Sequence, residues 1–151
     1  MARRSLVAAL VLVVSVLGGA TIALAGDDTA VSPARPKRAF VRVPAPDGIQ
    51  IRRYNKTDGE SPEKKDRVVV HYEGKLEDGR VFDSSSRTGN PAVFSLKKVV
   101  PCWKEALTRL HVGEKARVTC PPDTAYGAKG APPKVPPFET LTFEIELVGI
   151  H

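Results

Sequence analysis

The sequence predicts an α+β domain in which one short α-helix lies across an antiparallel sheet of about five strands. Two observations carry this. From residue 48 onward, short runs alternate apolar and polar residues between Gly, Pro and Asp, as half-buried strands do. One stretch, residues 99–110, "VVPCWKEALTRL", instead repeats its apolar positions with the period of a helix. An apolar sheet face and an apolar helix stripe are buried most economically against each other.

The first 25 residues stand apart from that domain. They open with Arg3 and Arg4, run apolar over residues 6–17 and close on Ala23-Leu24-Ala25, the pattern of a cleaved signal peptide. The competing reading is a retained membrane anchor. A spanning helix needs about 20 apolar residues, and Gly18-Gly19 interrupt this run. Removing 25 of the 151 residues leaves 126, enough for one small domain. The net charge falls from +6 to +4, because only Arg3 and Arg4 are lost. Such a chain is exported, to the periplasm of a Gram-negative bacterium or otherwise secreted, with no stable membrane insertion after cleavage. Residues 26–46 hold four prolines and little periodicity, and read as a flexible arm. Residues 47–151 are the domain.

The elements follow in order. "GIQIRRYN" reads as a first strand. In "DRVVVHYEGKL", Val68, Val70 and Tyr72 share one face, and Val69, His71 and Glu73 the other. "LEDGR" supplies an Asp-Gly hairpin turn. "VFDSSS" and "AVFSL" read as the next two strands. In the helix, Trp103, Ala106, Leu107 and Leu110 form one face; Pro101 suits the first turn and Gly113 marks the stop. "EKARVTC" places Ala116, Val118 and Cys120 inward, and "TLTFEIELVGI" does the same with Leu141, Phe143, Ile145 and Leu147. Between them lies "PPDTAYGAKGAPPKVPPFE", too long for a plain turn; loops of that length are often functional.

Several chemistries are disfavoured. Bases are scattered among acids, with no basic stripe interleaved with aromatics, so nucleic-acid binding is not expected. His71, His111 and His151 share no metal-ligand spacing with each other or with the cysteines. Ser84, Ser85 and Ser86 lack the glycines of a nucleophile elbow, and no phosphate-binding glycine loop is present. Cys102 could be activated at a helix start only if free, and an even cysteine count in an exported chain favours one disulfide. Any activity therefore comes from shape and apolar surroundings. Tyr72, Phe82, Phe94, Trp103, Tyr126, Phe138 and Phe143 supply them; Phe94 reads first as core, while Tyr126 sits in the Gly/Pro loop, where its hydroxyl can meet a ligand.

The segments "VHYEGKLEDGRVFDSS", "VVPCWKEALTRLHVGEKARV", "PPDTAYGAKG" and "VPPFETLTFEIELVGI" together resemble the FKBP-type peptidyl-prolyl cis-trans isomerases, in order and spacing, across residues 48–150. The "PCW" tripeptide is similar to the bacterial exported branch. The resemblance implies a twisted antiparallel sheet wrapped around one short helix. It implies that Trp103 floors an aromatic bowl walled by Tyr72, Phe82 and Phe143, with Asp83 at the rim. It further implies that Val99 and Val100 meet the ligand through their backbone, that the Tyr126 hydroxyl bonds a ligand carbonyl, and that Val135 is an aliphatic wall. Ala92, Ala131 and Lys134 depart from residues common in the family, which bears on substrate preference and macrolide affinity. The implied reaction is isomerisation of X-Pro bonds in exported chains, without cofactor or metal, in a pocket that FKBP-directed macrolides could also occupy. The sequence offers no helical dimerisation segment, so a monomer is expected. A non-catalytic chaperone holding proline-containing chains is the alternative. The matching Tyr72, Asp83, Trp103 and Tyr126 favour catalysis. A structural or adhesion role for the arm is a further possibility.

The phases also bear on the cysteines. Cys102 shares the helix stripe with Ala106 and Leu110, and Cys120 lies in phase with Ala116 and Val118. If helix and sheet pack together these residues meet, so a Cys102–Cys120 disulfide is expected; the alternative is two buried thiols that never bond.

Overall fold

In the computed structural model, residues 39–151 are described. The expected leader, residues 1–25, and the arm as far as residue 38 lie outside them. Among the described residues are seven strands: β1 (Val41–Val43), β2 (Gln50–Arg53), β3 (Arg67–Lys75), β4 (Val81–Ser84), β5 (Ala92–Ser95), β6 (Lys115–Cys120) and β7 (Leu141–Ile150). They form one antiparallel sheet in the order β1-β2-β6-β7-β3-β4. β5 also pairs with β3. One helix, α1 (Pro101–Leu107), packs its apolar side into the same core as the sheet. The α+β architecture and the single helix are as expected. No helix among the described residues is long and apolar enough to cross a membrane.

β3 organises the sheet. Residues 68–75 pair with β7 along one edge, while the other edge is shared: residues 67–70 take β5 and residues 73–75 take β4. The predicted alternation holds, with Val68 and Val70 fully buried and His71 exposed. A tight turn joins β3 to β4, where Gly79 adopts φ 87° and the Leu76 N–H bonds the Arg80 carbonyl at 2.9 Å. Ala116, Val118, Cys120, Leu141, Ile145 and Leu147 are all 2 % exposed or less, closing the core under the helix.

Three expectations are corrected. Residues 41–43, assigned to the flexible arm, form edge strand β1: Val43 packs against the core, Arg52 stacks on the Phe40 ring at 4.9 Å, and Pro44 follows. The strand is too short, and too close to the prolines, for its alternation to stand out. The helix ends at Leu107 rather than near Gly113. Thr108 donates its hydroxyl to the Lys104 carbonyl at 2.9 Å, and the chain tightens into i→i+3 turns at Arg109 and Leu110. A three-residue step keeps Leu110 on the buried side, so the apolar period outlives the helix. Finally, "VFDSSS" is strand only to Ser84. The Ser84 hydroxyl accepts the Ser86 N–H at 3.1 Å and starts a 3₁₀ turn, Ser85–Arg87.

Buried Glu114 ties three segments together beside the helix end. Its carboxylate accepts the Arg53 guanidinium at 3.2 Å, the Thr57 N–H at 3.2 Å and the His111 N–H at 3.0 Å. Burial opposes its ionisation, but these donors outweigh that and hold the carboxyl below the usual range.

Candidate functional site

One cavity of about 220 Å³ opens where β3, β4, β5, β7, the start of α1 and the long loop converge. β3 contributes Tyr72, β4 Phe82 and Asp83, β5 Phe94, and β7 Phe143. The turn before the helix adds Lys98, Val99 and Val100; the helix adds Trp103, and the loop Tyr126. Nine of these ten side chains stand on strands, the helix or its lead-in, so a rigid frame sets their positions.

Trp103 organises the aromatics. It is 5 % exposed and meets three rings edge to face: Tyr72 at 5.2 Å, Phe94 at 5.1 Å and Phe143 at 5.3 Å. Phe82 stands edge to face on Phe143 at 5.7 Å. Each such contact sets a positive ring edge on a negative face, worth about 0.5–1.5 kcal/mol beyond burial. The indole N–H has no hydrogen-bond partner among the described residues.

The polar groups are few. The Tyr72 hydroxyl donates to Asp83 Oδ2 at 2.8 Å. Burial, and then the Asp83 carboxylate, push the Tyr72 phenol far above its ordinary pKa; burial first and Asp83 second raise Tyr126 as well. Both phenols are therefore neutral donors at physiological pH. Tyr126 is 39 % exposed, and its hydroxyl makes no hydrogen bond among the described residues. The serine run is structural: Ser85 Oγ accepts the Tyr72 N–H at 3.0 Å and donates to the Tyr72 carbonyl at 3.3 Å, fixing that tyrosine's backbone.

Local irregularity aims two adjacent residues at one cavity. Neighbours on a regular strand face opposite ways. In β4, however, Asp83 pairs with Gly74 and Val81 with Lys75, leaving Phe82 as the extra residue of a bulge. A bulge re-aims side chains, and here both Phe82 and Asp83 line the cavity. Gly74 is the second device. A Cβ there would lie 2.8 Å from Phe143 Cε1 and from Phe82 Cε1 and Cζ, so the two aromatic walls occupy the space a side chain would take.

Eight of the nine residues expected to form the pocket line this cavity: Tyr72, Phe82, Asp83, Val99, Val100, Trp103, Tyr126 and Phe143. Val135 does not. It is 2 % exposed, bridges to Ala131 and belongs to the core beneath the loop. Phe94, read first as core, lines the cavity, and so does Lys98, which the sequence did not single out. Phe138 is no core residue: it is 69 % exposed at φ 57°, held by its N–H to the Gly127 carbonyl at 2.9 Å. Isolated glycine within a strand pattern was the available signal for Gly74. Cys102 and Cys120 are joined by a disulfide, fully buried with Cα atoms 5.7 Å apart, tying the first turn of α1 to the end of β6 beside Trp103. No cluster of metal-ligating side chains occurs among the described residues.

Comparison with known proteins bears on the family and the fold. Residues 58–148 match the family described as FKBP-type peptidyl-prolyl cis-trans isomerase. The chain is 52 % identical over 103 residues to the FKBP-type 22 kDa peptidyl-prolyl cis-trans isomerase of Escherichia coli, covering 68 % of this chain and 50 % of that protein. It is 44 % identical over 109 residues to FK506-binding protein 1A of Emericella nidulans, covering 69 % of this chain and 99 % of that one. Among solved structures, a peptidyl-prolyl cis-trans isomerase of Pseudomonas syringae superposes with a TM-score of 0.68 at 38 % identity, over 78 % of this chain and 83 % of that chain. The chain thus spans about half the length of the E. coli relative and nearly all of the fungal one. It belongs to the family of FKBP-type peptidyl-prolyl cis-trans isomerases.

Proposed function

We propose that the protein accelerates cis–trans isomerisation of X-Pro bonds in polypeptide chains, using the aromatic cavity and no covalent chemistry. The observation that carries this is the cavity's build: a nearly buried indole ringed by three edge-on aromatics, with two phenols, the Asp83 carboxylate and Lys98 as its polar residues. Peptide bond rotation faces a barrier of about 18–20 kcal/mol because twisting the C–N bond loses resonance. The planar imide is more dipolar than the twisted one. Apolar walls that exclude water therefore favour the twisted state relative to the planar one. The prolyl ring sits on Trp103 between the Phe82, Phe94 and Phe143 rings. Tyr126 donates to a substrate carbonyl and holds the chain on one side of the rotating bond. Asp83 is engaged by Tyr72 and acts by orienting that ring, not by taking a proton.

The same proposal covers the roles of Val99 and Val100 along the substrate backbone, and the domain limits: leader 1–25, arm, then isomerase domain. The leader sequence supports export, and the buried Cys102–Cys120 disulfide suits an oxidising compartment. The Emericella relative's name records FK506 binding, and the aromatic cavity of this chain supports macrolide occupancy here. The test is isomerisation of a proline-containing model peptide by the mature chain, with and without an FKBP-directed macrolide. Acceleration that the macrolide abolishes supports the proposal. Peptide binding at the no-enzyme rate hands the cavity to a holding function instead.

A further inference from the structure

The cavity lining carries one acidic and one basic side chain, and they differ in availability. Asp83 already accepts the Tyr72 hydroxyl at 2.8 Å. Lys98 is exposed and makes no ion pair or side-chain hydrogen bond among the described residues. Its backbone is nevertheless placed: the Lys98 N–H donates to the Ser95 carbonyl at 2.9 Å, closing the turn between β5 and Val99. The lysine backbone is thus held at the cavity rim by a short, hydrogen-bonded turn, and its ammonium is carried there on a flexible four-carbon stem.

The surrounding chain reinforces its sign. Between Asp83 and Glu105 the sequence has Arg87, Lys97, Lys98 and Lys104 and no acid. Arg87 donates to the carbonyl of the cavity residue Phe82 at 3.3 Å, which keeps a second cation near the opening. Glu105 is itself occupied, by Lys64 at 3.2 Å and Arg109 at 3.3 Å. The apolar interior selects a prolyl ring and an apolar neighbour; its rim offers positive charge with no internal partner.

Resting on the isomerase reading of this cavity, we propose that Lys98 is a specificity determinant, favouring X-Pro segments that carry a carboxylate side chain within one or two residues of the reacting bond. Complementary rim charges steer encounter and set partner preference more than they add affinity, and salt screens them.

The test uses three otherwise identical proline peptides with Glu, Gln or Lys placed in turn on either side of the X-Pro pair. They are compared on wild type, Lys98→Gln and Lys98→Glu. The readout is the Glu-to-Lys ratio of kcat/KM within each protein, which cancels any change in overall activity. At low salt the wild-type ratio is expected to be about threefold, the size an exposed ion pair supports. It should approach one in Lys98→Gln, fall below one in Lys98→Glu, and shrink for wild type in high salt. A wild-type ratio of one, or a ratio carried unchanged into Lys98→Glu, overturns the proposal. The same ratio is read as Kd from the fluorescence of Trp103. Absent turnover of the Gln peptide would therefore sink the isomerase reading while still deciding this one.

Discussion

Replacing Gly74 by alanine tests whether β3 sets the spacing of the aromatic walls. The added Cβ would sit 2.8 Å from Phe143 Cε1 and 2.8 Å from Phe82 Cε1 and Cζ. Carbon atoms at rest lie about 3.5–4.0 Å apart, so both rings must withdraw by roughly 1 Å. Neither has free room. Phe82 is 9 % exposed and Phe143 4 %, they pack on each other at 5.7 Å, and Phe143 also packs on Trp103 at 5.3 Å. Overpacking costs about 1–3 kcal/mol, while alanine recovers about 0.5–1 kcal/mol of the backbone entropy glycine loses on folding. The expected net is a destabilisation of about 1–2 kcal/mol, measured by urea unfolding followed through Trp103 fluorescence. Turnover should fall further than stability, by about 10–100-fold, because a 1 Å misplacement near a reacting group is that costly. A variant as stable as wild type with full turnover refutes the idea that Gly74 holds open the space for the walls.

Three further outcomes are expected. A double-mutant cycle of Tyr72→Phe and Asp83→Asn, read by urea unfolding, should give a coupling of about 1–2 kcal/mol, as for a half-buried hydrogen bond to a charged group; effects that add within about 0.5 kcal/mol would show the two act independently. Glu114→Gln should lower Tm at pH 7, since a donor-bound buried carboxylate becomes an amide with misplaced hydrogens. Its folded pKa lies below the unfolded one, so its contribution is complete above about pH 4.3 and fades as pH falls through the folded value; a wild-type-to-variant gap that stays constant from pH 7 to acid would contradict this. Thiol counting on unfolded, unreduced protein should find none from Cys102 and Cys120, and reduction should cost about 3 kcal/mol, the loop-closure entropy for a link spanning 18 residues; two free thiols per chain would rule the staple out.

Where the fold was legible, each residue's environment followed from its own strand or helix. Alternation assigned Val68, Val70, Ala116, Val118 and Leu141 to the buried face because a half-buried strand needs only one face known. What alternation does not encode is which strand lies beside which. β3 receives β7 on one edge and two separate strands on the other, a pairing set by how the whole sheet closes over α1. The boundaries failed for a related reason. Leu110 keeps the helical apolar phase through 3₁₀ turns, so burial, which is what the pattern reports, continues past the last helical hydrogen bond.

The site was legible where a side chain's chemistry was unusual for its surroundings, as with Trp103, the chain's one tryptophan, at the start of the helix or Tyr126 in a Gly/Pro loop. It was not legible where position depended on irregular backbone. Strict alternation puts Phe82 and Asp83 on opposite faces; only the bulge opposite Gly74 and Lys75 brings both to the cavity. Lys98 is the same case at the rim, one lysine among several by sequence and distinguished only by the turn that seats it before Val99. The aromatic bowl and its charge are thus built by different means. Tyr72, Trp103 and Phe143 of the bowl follow from bulky residues on inward phases, while its Phe82 wall shares the bulge with the rim. The rim rests on one bulge and one turn, so substrate preference is the property most open to change by short insertions at residues 81–84 and 95–98, with the Trp103 floor left in place.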